Sequence, residues 1–248
     1  MAGKKRSGLA IHRRAYGCGG NCTPICPSIT ISDIATFNGS SWILNNNTTI
    51  LACQTLEIPV NQELQTNHYT LTNNGTINAR GNLRVSIDNY DLPGNSVSIN
   101  NGTINIFSTG NISVSADLVA GDSIFTNNGV INNYGDFYCQ NFGVINNNAG
   151  GRINNYSAYS GISGGFRVNP HGTFNNVGIF INNTGATSSN AYNATIYNYG
   201  GGLITNNSGG VITNAGDIFT GGIPCGIGTI NNSGTINNIG TITTGCPT

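Results

Sequence analysis

From about residue 29 onward, apolar and polar positions alternate in runs of three or four residues, and each run stops at Asn-Gly or at a lone glycine. Thr70, Leu71 and Thr72 form one run; Thr76, Ile77 and Asn78 form the next. A period of two marks a strand with one face buried. No stretch carries apolar residues at helical spacing free of glycine and β-branched residues. The body is predicted to be nearly all β.

The runs are copies of one phrase. It reads NNGTIN from 73 and from 100, NNGVIN from 127, FGVINN from 142, GGRINN from 150, HGTFNN from 171, GGVITN from 209 and GTINN from 228 and 234. Gly75, Gly102 and Gly129 stand 27 residues apart, whereas Gly210, Gly216, Gly222, Gly228, Gly234 and Gly240 stand 6 apart. One strand-and-turn phrase is thus used several times within a larger period, as in a coil with several sides. Antiparallel hairpins with Asn-Gly turns are the competing arrangement, but strands this short, with a turn at both ends, make poor hairpins. Stacked coils instead let each phrase bond to copies above and below at about 4.8 Å.

In such a stack Gly75, Gly102, Gly129, Gly228, Gly234 and Gly240 take corners, with the positive φ that glycine tolerates. Ile77, Ile104, Ile131, Ile230, Ile236 and Ile242 point inward, and stacked Asn amides hydrogen-bond along the axis. The predicted fold is an all-β, single-stranded parallel β-helix (β-solenoid), read as right-handed, over residues 29–248, with about 8–11 coils. Residues 1–28 form a separate basic, Cys-containing arm.

The passage TILACQTLEIPVNQELQTNHYTLTNNGTINARGNLRV, from residue 49, resembles the opening coils of parallel β-helix repeat proteins of the filamentous-haemagglutinin and adhesin type. The Asn-rich repeats also resemble β-helix structural proteins of large DNA viruses. The resemblance spans roughly residues 45–245 and rests on residues that build the coil, so it implies the fold more than the role. The six-residue tail is also similar to left-handed hexapeptide helices, but the catalytic His of those acyltransferases has no counterpart in it.

Composition changes the picture in one respect. Only 7% of residues are charged, against roughly 25% in ordinary domains, and the polar share comes from Asn, Thr and Ser. Lys4, Lys5, Arg6, Arg13 and Arg14 put five of the nine basic residues into the first fourteen positions, where no acid occurs. Such an arm can meet nucleic acid, an anionic membrane surface or an acidic protein, or simply be solvated. The apolar stretch GLAI near the start is shorter than the roughly 7–15 residues of a secretory core. No signal peptide and no membrane span are therefore expected, and synthesis in the cytoplasm is.

Seven cysteines occur. Cys18, Cys22 and Cys26 are spaced C-x3-C-x3-C; a metal site would need His12 as a fourth ligand, and disulfides within the arm or to a neighbour compete with it. Cys53, Cys139 and Cys225 are expected in or near the core as small apolar residues. Cys246 is the candidate for an intermolecular bond, so Cys18, Cys22, Cys26 and Cys246 form the assembly set. No cofactor and no metal are expected.

Catalysis finds little support. Asp88 with Asp91, and Asp117 with Asp122, are the close carboxylate pairs, and both lie between phrases in segments that read as loops. His68 and His171 have no nucleophile beside them. Tyr134, Tyr138, Tyr156, Tyr159, Tyr192, Tyr197 and Tyr199 could give a sugar-stacking face, a stacked solenoid row or an interface.

The repeat continues to Thr243, so the C-terminal end is expected to lack a cap and to be covered by another copy or another protein. The function expected is a non-enzymatic structural protein that self-assembles or docks into a fibre, spike or capsid-associated layer, on a virion or other assembled particle. The partners expected are copies of itself, as a homo-oligomer or filament, and other structural proteins of that particle; no nucleic acid is expected beyond the basic arm. A carbohydrate- or receptor-binding adhesin or fibre is the alternative, and a polysaccharide-cleaving β-helix enzyme a further one.

Overall fold

A four-residue phrase buries too little to stand alone, so its stability has to come from stacking on its copies. The structure, a computed structural model, describes residues 26–87, 95–116, 122–156, 165–183, 195–198, 202–220 and 228–244. Nearly all regular structure in them is strand, gathered into three sheets that the chain visits in turn. Face 1 runs from Thr48–Ile50 through Thr70–Asn73, Ser96–Asn100 and Ser123–Asn127 up to Thr229–Asn232. Face 2 runs from Thr55–Ile58 through Thr76–Ala79, Thr103–Ile106 and Val130–Asn133 up to Thr235–Asn238. Face 3 carries Glu63–Gln65, Asn82–Ser86, Asn111–Ser115, Asp136–Gln140 and Gly165–Val168 and ends with Thr241–Thr244. Among the described residues faces 1 and 2 hold eight strands each, all parallel, so these residues stack as a β-solenoid, the fold that the periodicity predicts.

The inward positions stack in register. On face 2 Leu56, Ile77, Ile104, Ile131, Ile153, Phe180, Ile212 and Ile236 succeed one another. Ile77, Ile104 and Ile131 are fully buried. Midway along, Phe125, Phe137, Phe166, Phe174 and Phe180 meet edge-to-face, with centroids 4.7–5.6 Å apart, the arrangement that ring quadrupoles favour. Ser98 is the register partner of Phe125 and is itself buried; a small residue beside a large one keeps the packing even.

The corner glycines are required for a different reason than the one expected. Positive φ occurs at Gly39, Gly150, Gly165 and Gly209, not at the repeat glycines 75, 102, 129, 228, 234 and 240. Those positions lack room instead: a Cβ on Gly102 would stand 2.1 Å from the Gly75 carbonyl oxygen, and one on Gly129 2.1 Å from that of Gly102. Coils at sheet spacing bring corner backbones into contact, and only glycine allows it. Positive φ is taken up elsewhere, by Asn61, Asn67 and Asn141, and by Phe142 and His171, which stack on each other at 4.9 Å.

Residues 26–44 cover the beginning of the stack. The helical turn Ile31–Ile34 buries both isoleucines against the core, and its start is tied down by Asp33, which accepts the Thr30 amide and hydroxyl at 2.7 Å. These bonds hold the Asp33 carboxyl below its usual range. Ala35–Phe37 then pairs antiparallel with Trp42–Leu44, which joins face 3. Cys53 departs from expectation: it is exposed at a corner and forms a disulfide with Cys26. The Gln54 side chain donates to the Pro27 carbonyl beside it. Among the described cysteines only Cys139 is found in the core, where burial pushes its thiol pKa far up.

Asparagine closes the remaining corners. Asn73 donates its side-chain amide to the Asn100 oxygen, Asn100 to Asn127, Asn127 to Asn147, Asn147 to Asn176, Asn176 to Asn206 and Asn206 to Asn232, each at 2.7–2.8 Å. A second ladder runs Asn133, Asn155, Asn182, Asn214, Asn238. Members from Asn73 to Asn214 are buried. The same amide groups also donate to backbone carbonyls: Asn73 to Thr103, Asn100 to Val130, Asn127 to Arg152. A carbonyl only accepts, so every amide orientation in the ladder is fixed.

Two outcomes follow from this packing. Asn127→Ala leaves one of the two Asn100 amide N–H groups and the Asn147 oxygen buried without their ladder partners and should cost about 2–4 kcal/mol. Asn128→Ala removes a member of the exposed row Asn101, Asn128, Asn148 and should cost less than about 1 kcal/mol. Denaturant midpoints decide it, and equal losses would contradict the ladder's role. Gly129→Ala should destabilise by roughly 3 kcal/mol or more, through a steric clash with the coil below, measured in the same titration.

Candidate functional site

Two surfaces depart from the regularity of the coil. The first is its far end. Thr229–Asn232, Thr235–Asn238 and Thr241–Thr244 each have one neighbouring strand, on the side of the preceding coil. The other side has none among the described residues, so the outward-pointing half of the backbone N–H and C=O groups of these strands has no strand partner, while the rest bond to the preceding coil. Ile230 and Ile236 are only half-buried, Ile242 is 43% exposed and Ile239 83% exposed. Their counterparts one coil earlier, Ile204, Ile212 and Ile218, are buried. Asn232 and Asn238 end the two buried ladders, and each already accepts from below. Asn238 also donates to the Gly240 carbonyl, so of the two terminal amides only that of Asn232 has no acceptor among the described residues.

The second surface is the outer side of face 3. Register places Asn82, Arg84 and Ser86 beside Asn111, Ser113 and Ser115, and these beside Asp136, Tyr138 and Gln140. Glu63, Asn82, Arg84, Asn111, Ser113, Ser115, Tyr138 and Gln140 enclose a notch of about 230 Å3. Ser113 is its floor, short between two long neighbours, and is itself buried. The charges are paired: Arg84 lies 3.9 Å from Glu63, and Arg167 3.2 Å from Asp136. Arg167 also covers one face of the Tyr138 ring at 4.8 Å. Of these residues Tyr138 was singled out from the sequence, as part of the tyrosine set, but its neighbours were not. The signal available was that NLRVS, NISVS and DFYCQ are five-residue runs lacking the repeat's Gly-Thr-Ile-Asn-Asn wording.

The structure distributes the other anticipated residues as follows. Lys4, Lys5, Arg6, Arg13, Arg14, His12, Cys18, Cys22, Cys225 and Cys246 lie outside the described residues, as do Asp88, Asp91, Asp117, Tyr159, Tyr192 and Tyr199. Cys26 is bonded to Cys53 and so is not available to a C-x3-C-x3-C metal site while that bond stands. Among the described residues no three of His, Cys, Asp and Glu come together as a metal-holding group. Tyr134 and Tyr156 stack on each other, centroids 4.8 Å apart and rings 8° from parallel, and both remain exposed. His171 lies on Phe142 and His68 is half-buried. No described helix is long and apolar enough to cross a membrane.

No family model and no curated protein matches the chain. Among solved structures it is similar to the crystal structure of a TibC-catalysed, hyper-glycosylated TibA fragment, at 17% identity over 88% of this chain and 82% of that one, with a TM-score of 0.21. A likeness of that degree carries no functional argument, and the reading of function rests on the surfaces described above.

Proposed function

We propose that the protein is a non-enzymatic structural rod that is joined end-on to a second copy of itself through its last coil, as a building element of a fibre, spike or capsid-associated layer. The observation that carries this reading is the open outer edge of the strands Thr229–Asn232, Thr235–Asn238 and Thr241–Thr244, with Ile242 and Ile239 exposed beside it. Open strand edges bordered by apolar side chains are strongly disposed to pair. The opposite end is covered by residues 26–44, so head-to-tail stacking into an open filament would require displacing the helical turn and hairpin there. End-to-end pairing about a two-fold axis needs no such change, and it brings the edge strands together antiparallel. Placement on a virion or similar particle is supported by the resemblance of the Asn-rich repeat to viral β-helix proteins.

The non-catalytic part of the proposal is supported by the engagement of four of the described carboxylates. Asp33 is held by Thr30, Glu57 by Asn78, Glu63 by Gln65 and Ser41, and Asp136 by Arg167.

Light scattering of the whole chain tests the assembly. A mass that rises from one to two copies with concentration is expected, and Ile242→Lys, which puts a charge on the end plate, should weaken association at least tenfold. A chain that stays monomeric at high concentration, or a variant that associates as well as the parent, would overturn the proposal.

A further inference from the structure

We infer that the notch on face 3 is a binding site for a neutral pyranose ring of a saccharide. The argument starts from a departure in the asparagine pattern. Where two Asn residues are register partners elsewhere in the coil, their amides bond: Asn78 with Asn105, Asn105 with Asn132, Asn132 with Asn154, Asn146 with Asn175, and all members of the buried ladders. Asn82 and Asn111 are register partners on face 3, yet neither amide is bonded to the other or to any described group. Ser113 and Ser115 likewise have no side-chain hydrogen bond to any described residue. Four polar side chains thus converge on one notch with their capacity unspent on described residues, whereas the other described Asn–Asn register pairs are bonded.

The chemistry of the lining selects the ligand. Amides and hydroxyls each offer both donors and acceptors, which is the requirement of sugar hydroxyls, since these also donate and accept. Gln140 adds an amide whose oxygen is already taken by Asn169, leaving its N–H groups to the notch. The guanidinium and carboxylate at the rim, Arg84 and Glu63, neutralise each other, as do Arg167 and Asp136 across the strand. An anionic ligand would have to meet Glu63 and compete for Arg84, whereas a neutral one can use both without separating the pair. The volume, about 230 Å3, lies below the roughly 300–1,000 Å3 of pockets that take drug-sized ligands. It suits one ring of a longer chain lying along the face.

The site lies on the flank and the end plate lies at the last coil, so the two proposals fail separately. The test uses the whole chain on a printed array of neutral and acidic oligosaccharides, followed by calorimetric titration with the best neutral member. Binding to neutral members is expected. Asn111→Ala should weaken it at least tenfold, and Ser113→Leu, which fills the floor of the notch, should abolish it. Asn175→Ala on face 1 and Ile242→Lys should leave it unchanged. Circular dichroism and the thermal midpoint report whether each variant folds; if Ser113→Leu does not, Asn111→Ala decides. No binding to neutral members, binding confined to acidic ones, or a folded Asn111→Ala variant that binds like the parent would each overturn the inference.

Discussion

The buried asparagine amide, bonded up and down the axis, is the constraint on which the rest of the structure depends. Each ladder member has to satisfy two N–H groups and one oxygen in a place that water does not reach, and a buried amide left unpaired costs on the order of 1–3 kcal/mol. It succeeds only if the next coil supplies an Asn oxygen and a strand carbonyl at the right height. Coil height, register and corner position are therefore set together. The apolar stack alone would tolerate a slip by two residues, because Ile follows Ile; the amides would not. This also explains why glycine is held at the neighbouring corner, where the backbones approach so closely that a Cβ has no place.

Much of this was legible in the sequence because the coil is built from identical local decisions. The alternation in Thr76-Ile77-Asn78 and its copies 27 residues on gives strands, inward isoleucines and parallel stacking at once, and the structure has Ile77, Ile104 and Ile131 in register and buried. What periodicity does not encode is the part of the chain that differs from its copies. Cys53 sits in a passage that matches the repeat, so an inward position was a fair expectation, but a corner turn places it outward toward Cys26. The corner glycines illustrate the same limit: a one-dimensional pattern marks a special position without telling backbone torsion from crowding by another coil. Face 3 was missed because its five-residue strands drop the repeat's wording, and a surface composed by register from residues 25 to 29 apart has no local signature.

The two unusual surfaces have a common origin. A solenoid satisfies polar groups by repetition, so an unsatisfied group arises where repetition stops or where it is broken sideways. At the last coil the break is longitudinal, and strand edges and the Asn232 amide are left over. On face 3 the break is lateral, where Asn82 and Asn111 share a register without sharing a bond. The first kind of break suits a partner that continues the stack, and the second suits a small polar molecule. The two breaks lie in different directions, one along the axis and one across it.

The outer face of the second sheet has a row of its own. Asn154 donates to Asn132, Asn132 to Asn105 and Asn105 to Asn78, and Asn78 to the carboxylate of Glu57. Because a carboxylate only accepts and Arg152 donates to the far end at Asn154, this row runs toward the N-terminus, while the buried ladders run the opposite way. Aligned amide dipoles would otherwise add along the axis as peptide dipoles do in a helix. Counter-running rows cancel much of that sum, so coils can be added to the rod without building up charge at its tips.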